Sequence, residues 1–399
     1  MSATIRAIGT AVPETTLDQV AVRELFAAQP GLGRLGRRLV PAAFDASAVA
    51  HRHTVLEELD LAGRPGRFRD ADGTLQSPST GTRNDRYREL APALFVESAR
   101  DALHRSGIGP ADVTHLVTVS CTGFTQPGPD LAIVEGLGLR RTVFRQHIGF
   151  MGCCAAFPAL RIADAFVAAD PSAVVLVVCA ELCTLHVRAS DDPDQIVANS
   201  VFGDGAAAAV VTADGPGLRL DAFATTVVPE GAPEMAWNIG DEGFEMVLST
   251  AVPKLVGATV AEAVAPLLDG PAADVPVWAV HPGGRAILDR TQDALGLSDN
   301  AMASSRAVLR EHGNMSSATV LFVLRDAFDA GITDGAPVIA LAFGPGLTVE
   351  SARLTAVGTG VTDTTRTTDA TRTTDATRTT DATRTTDAVD AVALATGRA

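Results

Sequence analysis

Apolar and polar positions alternate along this chain in blocks that predict short strands and amphipathic helices. Thr4–Ala11 reads as a first strand, and Leu17–Ala28 as a helix following Thr15-Thr16. Leu90, Ala93, Leu94, Ala99 and Leu103 recur at threes and fours, which predicts a helix over Leu90–Ser106 stopped by Gly107-Ile108-Gly109-Pro110. His115–Ser120 is strand-like, Pro127–Gly138 helical and Thr142–Gly149 a short strand. A helix with apolar spacing opens just after Cys153-Cys154. Ala173–Cys179 and Ala206–Thr212 are continuous apolar runs, as expected of strands buried on both faces. Beyond residue 215 the spacing predicts helices over Phe244–Leu268, Arg285–Leu295 and Ser316–Asp329. Strands are expected there at Val275–Val280, Val338–Phe343 and Thr348–Thr355. Strand–helix alternation indicates an α/β protein with a parallel sheet covered on both faces. The pattern repeats, giving an N-terminal half over 1–225 and a C-terminal half over 226–358.

From 359 onward the pattern stops. Thr-Arg-Thr-Thr-Asp-Ala occurs four times between 365 and 388, and its polar composition gives no core to bury, so 359–399 reads as a disordered tail. The tail carries six Asp and five Arg, net -1, so -14 of the net charge of -15 resides in the body. Such an acidic chain is not expected to bind nucleic acid. No apolar run is long enough to span a bilayer, and Met1–Arg6 lacks the apolar core of a secretion signal. The cysteines Cys121, Cys153, Cys154, Cys179 and Cys183 are odd in number and include no Cys-x-x-Cys pair, which suits reduced thiols in the cytoplasm and no zinc site.

Three residue types with catalytic uses fall at the ends of predicted elements. Cys153 is at a helix start, where the helix dipole favours a thiolate. His281 follows a strand and Asn314 precedes a helix. A thiol nucleophile works with a neighbouring imidazole, and His and Asn can both donate to a developing oxyanion. Taken singly, each has a plainer reading: a core thiol, a turn histidine and an N-cap.

The motifs bear on that choice. Gly152-Cys153, Phe202-Gly203-Asp204-Gly205-Ala206-Ala207-Ala208, His281-Pro282-Gly283-Gly284, Gly313-Asn314-Met315-Ser316-Ser317-Ala318 and Phe343-Gly344-Pro345-Gly346-Leu347-Thr348-Val349-Glu350 occur in this order. Together they resemble the type III polyketide synthases, the chalcone synthase superfamily, in a bacterial form. The resemblance implies a thiolase-like fold of two pseudo-repeated halves in α-β-α-β-α layers. It implies an acyltransferase that loads an acyl-CoA starter on Cys153, extends it by decarboxylative condensation with malonyl-CoA or methylmalonyl-CoA, and cyclises the product. No metal or other cofactor is implied, and a homodimer is.

By the same resemblance His281 is the base partner, and His281 with Asn314 promotes decarboxylation. Phe202 and Phe244 stand as gatekeepers, while Cys121, Cys183, His186 and Trp237 fall on cavity segments. Arg52 matches a CoA-binding basic segment, and Gly283 and Gly284 would let the pantetheine arm approach. Gln126 replaces a methionine that usually reaches into the partner's cavity. An alkylpyrone or alkylresorcinol from an aliphatic starter is the expected product. Two alternatives stay open: a single-condensation β-ketoacyl synthase of the initiation type, and a non-catalytic partner-binding paralogue.

Overall fold

The computed structural model describes residues 2–360; the hexapeptide repeats lie outside the described residues. The first half supplies β1 (Thr4–Ala11), β2 (Thr15–Asp18), α1 (Gln19–Ala27), α2 (Arg34–Ala46), β3 (His51–Thr54), α3 (Thr80–Ser106) and β4 (His115–Ser120). It continues with α4 (Pro129–Leu137), β5 (Phe144–Gly149), α5 (Ala156–Ala169), β6 (Val175–Leu182), α6 (Pro193–Val201) and β7 (Asp204–Thr212). The second half supplies β8 (Gly217–Val227), β9 (Met235–Gly240), β10 (Gly243–Leu248), α7 (Val252–Val264) and β11 (Val277–Val280). It ends with α8 (Arg285–Leu295), α9 (Ala303–His312), α10 (Thr319–Asp329), β12 (Pro337–Gly344) and β13 (Thr348–Val357). The division between halves falls in the turn after Thr212, ahead of residue 225.

Nine strands pair in the order β11-β12-β13-β8-β1-β7-β6-β4-β5. The sheet is mixed, not parallel as the alternation predicts. Only β4–β5, β4–β6 and β11–β12 run parallel, while β1, β7, β8 and β13 enter antiparallel. A buried strand reads as a continuous apolar run in either direction, so the sequence pattern does not report orientation. Between the halves, β1 meets β8 over just two residue pairs, Thr4–Arg219 and Ile5–Leu218. The sheet is therefore two sheets stitched at one corner.

Three apolar cores separate five layers. α5 and α10 lie in the middle, packed against one face of each half-sheet. α1, α2 and α3 cover the outer face of the first half, and α7, α8 and α9 that of the second. α5 is rich in alanine, which lets two sheets close on it; Ala156, Ala159 and Ala163 are fully buried. The stretch Gly152–Ala169 is long and apolar enough to cross a membrane, but here it is this core helix.

Phe244–Leu268 is not one helix. Gly243, at φ +113°, closes a β9–β10 hairpin, and α7 starts only at Val252. α3 begins ten residues earlier than its periodicity predicts, where Ser79 Oγ accepts from Thr82 N. α1 is capped by Asp18, while Thr15 and Thr16 pair with β3.

Candidate active site

Cys153 lies in a 3₁₀ turn, Gly152–Cys154, that feeds α5. Gly152 adopts φ +66°, and a Cβ there would lie 2.3 Å from Pro345 Cδ, so only glycine permits this contact between halves. Cys153 faces the cavities, whereas Cys154 turns into the inter-sheet core and its thiol points to Met151 O at 3.3 Å.

Asn314 follows Gly313 (φ +67°) and is fixed by its backbone: Asn314 N donates to Val201 O at 2.8 Å and Gly203 N donates to Asn314 O at 3.0 Å. Its Oδ1 accepts from Ser316 N at 2.8 Å, which turns Nδ2 toward Cys153 Sγ at 4.0 Å and Gly283 O at 3.5 Å. Asn314 does not cap α10; its side chain closes the turn onto Ser316 N and leaves Nδ2 facing the cavity.

His281 ends β11, with its backbone N–H bonded to Leu341 O. Its ring is buried, lines the same cavity as Cys153 and Asn314, and has no hydrogen-bond partner on either nitrogen among the described residues. Buried polar atoms are normally satisfied, so an unpaired imidazole aimed into a cavity is poised for a ligand. Burial drives its pKa down to about 3. Burial also pushes the Cys153 thiol up to about 11; Ser316 and Asn314 pull it back and the charge of Glu181 adds to the rise. The helix end expected to favour a thiolate is outweighed by desolvation in the free enzyme.

Phe202 lies between two spaces. One is a cleft of about 1120 Å³ including its open mouth, reached by Ala46, Val197, Leu248, Gly283, Gly284 and Arg285. The other is a chamber of about 440 Å³ lined by Cys121, Cys183, Trp237 and Ser316, with Cys153 common to both. Behind Trp237 a further recess of about 260 Å³ touches His186 and Phe244. Trp237 fills the boundary: its Nε1 donates to Cys121 O at 3.1 Å, and its ring meets those of Phe202, His186 and Phe244. Cys121 Sγ accepts from Gly152 N at 3.1 Å, and burial holds the thiols of Cys121 and Cys183 well above the usual range. Gln126 is exposed on a loop.

Arg52 is not a surface cation for phosphate. It is buried, with Nη1 donating to Asn199 O at 2.6 Å and Phe202 O at 2.9 Å, and burial lowers its pKa to about 10. It braces the back of the Phe202 turn, and the cation that does line the cleft is Arg285.

Glu181 is absent from the residues expected at the site. Fully buried on β6, it accepts from Cys121 N at 2.9 Å, Thr122 Oγ1 at 2.8 Å and Ser317 Oγ at 2.5 Å. It thereby ties the end of β4 to the turn that carries Asn314. A lone carboxylate inside the apolar run Cys179–Leu182 was its signal. Among the described residues no cluster of His, Cys, Asp or Glu is placed to hold a metal.

Known proteins resemble this chain over most of its length. The N-terminal domain of chalcone and stilbene synthases matches residues 1–215, and the C-terminal domain matches 219–358. A 3,5-dihydroxyphenylacetyl-CoA synthase of Streptomyces toyocaensis is 32% identical over 360 residues, covering 86% of this chain and 88% of its own. An α-pyrone synthesis polyketide synthase-like protein of Mycobacterium tuberculosis is 33% identical over 368 residues, covering 87% and 90%. Among solved structures, a polyketide synthase of the brown alga Ectocarpus siliculosus superposes with a TM-score of 0.83 at 30% identity, covering 89% of this chain and 98% of that one. The tetrahydroxynaphthalene synthase of Streptomyces coelicolor superposes at 0.77 with 28% identity, covering 89% and 99%. The chain has the thiolase-like fold and belongs to the chalcone and stilbene synthase family of type III polyketide synthases, acyltransferases that work by decarboxylative Claisen condensation.

Proposed function

We propose that this enzyme takes a short acyl-CoA starter, extends it a few times with malonyl-CoA and cyclises the product in the chamber beyond Phe202. The observation that carries the reading is the way Trp237, with His186 and Phe244 behind it, closes that chamber off. That wall shortens the chamber beyond Cys153, which favours a short-chain pyrone or phenolic ring over an alkyl-bearing product.

The chemistry assigned to each group follows from its placement. The Cys153 thiol attacks the starter carbonyl, His281 takes its proton, and CoA leaves as the thiol. Malonyl-CoA then enters by the cleft, where Gly283, Gly284 and Arg285 line the approach. Loss of carbon dioxide leaves an enolate whose oxygen His281 and Asn314 Nδ2 hold. The enolate carbon attacks the Cys153 thioester, a C–C bond forms, and the thiolate departs. No metal or redox group enters these steps.

Two further proposals concern assembly and location. β5 is a sheet edge with Phe144 50%, Phe150 44% and Phe124 47% exposed around it, which suits pairing with a second copy. Five buried, unpaired cysteines suit the cytoplasm.

The test is incubation with a panel of acyl-CoA starters and malonyl-CoA, with products identified by mass. Cys153→Ala should abolish every product while Cys154→Ala should not. Turnover of long-chain starters in preference to short ones would sink the short-chain reading.

A further inference from the structure

We propose that the pocket where β1, α3, β8 and α10 meet is a binding site for an amphipathic carboxylate, separate from the catalytic cavity. It lies at the far end of β7 from Phe202, beside Ile8, which pairs with Ala209. At about 550 Å³ to its open mouth it is comparable with the catalytic chamber.

The lining has two chemistries. Ile5, Ile8, Leu218 and Phe328 make an apolar floor, and Arg6, Arg105 and Arg325 converge over it from three separate elements. In a chain of net charge -15, three guanidiniums in one pocket run against the overall field.

Each guanidinium is held in place. The β1–β7 register shifts between Ile5 and Ala7, so Arg6 sits on a bulge, a device that re-aims a side chain. Arg6 Nε donates to Pro216 O at 3.1 Å and Nη1 to Asp214 O at 3.3 Å. The turn closes over the guanidinium so tightly that a Cβ on Gly215 (φ +106°) would lie 2.3 Å from Arg6 Cζ. Arg325 Nη1 bonds Thr10 Oγ1 and, at 3.1 Å, Asp101 Oδ2, and its Nε lies 3.5 Å from Asp329. Arg105 meets Asp101 at 3.2 Å and Asp329 at 3.5 Å.

Charge then decides the ligand. Asp101 and Asp329 pair with Arg105 and Arg325, whereas among the described residues Arg6 is bonded only to carbonyl oxygens and contributes a positive charge with no carboxylate on it. Two of its five N–H groups are used, leaving donors in a planar fork that suits a carboxylate. A monoanion neutralises the excess, and an apolar body covers the floor. A phosphate would satisfy the arginines but leave the apolar floor wet.

The test is thermal unfolding of the full chain titrated with sodium octanoate, against sodium chloride at equal ionic strength and against inorganic phosphate. Octanoate should raise Tm saturably and phosphate should not match it. The rise should persist after Cys153 is alkylated with iodoacetamide, which blocks the thiol at the junction of the catalytic cleft and chamber. Arg6→Gln should abolish it. Because Arg6 also holds the 214–216 turn, Arg105→Gln serves as the second variant; its side chain is one-third exposed, and it should weaken octanoate about tenfold. No rise, a rise lost on alkylation, a rise unchanged in Arg105→Gln, or an equal response to phosphate would each overturn the proposal.

Discussion

The imidazole of His186 lies flat on the ring of Phe244, with centroids 4.2 Å apart and planes 13° from parallel. Its Nδ1 accepts from Phe244 N at 3.1 Å, so Nε2 carries the proton and donates to Thr122 O at 2.8 Å. Burial lowers its pKa to about 3, which keeps it neutral. His186 thus pins the β9–β10 hairpin to the end of β4 and sets the position of Trp237, which meets both rings edge-on. Its role is to hold the chamber wall rather than to carry protons.

If Trp237 closes the chamber, Trp237→Leu opens the recess behind it. The variant should release products of greater mass, extended by further malonyl-derived units, as read by mass spectrometry. The half-exposed hairpin should lose less than the ~3–5 kcal/mol of a buried Trp-to-Ala change. An unchanged product profile would remove Trp237 as the limit.

With the Cys153 thiol raised to about 11 and the His281 imidazole lowered to about 3, both are neutral at pH 7 in the free enzyme. Alkylation by iodoacetamide needs the thiolate, so its rate should climb about tenfold per pH unit from 6 through 9. A rate already flat at pH 6 would mean a standing thiolate–imidazolium pair.

Acid should destabilise the fold through its histidines. His186 and His281 are held near 3 and His312 near 4, against an ordinary value of 6.5. Below 6.5 the unfolded chain takes up protons that the folded chain refuses, so stability falls as pH drops toward 4. Asp204, raised to about 6 by burial, acts in the opposite sense over the same window, and Glu181 is also raised. His53, His115 and His147 are lowered by burial too and Glu350 is raised by it, so six histidines outweigh three carboxyls and Tm should decline between pH 6.5 and 4.5. His312→Gln should make the decline shallower.

Glu181→Ala leaves Ser317 Oγ, Thr122 Oγ1 and Cys121 N without their acceptor. Each unsatisfied buried donor costs about 1–3 kcal/mol, and denaturant unfolding should show at least one such loss. Glu181→Gln retains one acceptor oxygen and should fall between the two. Equal stability of all three proteins would make Glu181 a bystander.

Periodicity located β1, β4 and α8 to the residue because each is bounded by turn formers and has a simple pattern. It failed at Phe244, where a hairpin with partly buried faces mimics helical spacing. It could not report strand direction, and it left β8, α6 and α9 unplaced. Cys153, His281 and Asn314 were legible because motifs hold them at element ends. Arg52 was misread because sequence shows its charge and not its burial. Glu181 and the wall formed by Trp237 depend on contacts between residues some 60 to 120 positions apart, which no local pattern encodes.

The two-pair stitch between β1 and β8 has a consequence for the order in which this enzyme becomes reactive. The thiol belongs to the half made first, while the imidazole and the amide arrive with the half made last. A chain emerging from the ribosome as far as Val227 has Cys153 but neither His281 nor Asn314, the partners proposed for it. On the roles proposed above, chemical competence waits until synthesis has passed Asn314 and the second half has docked.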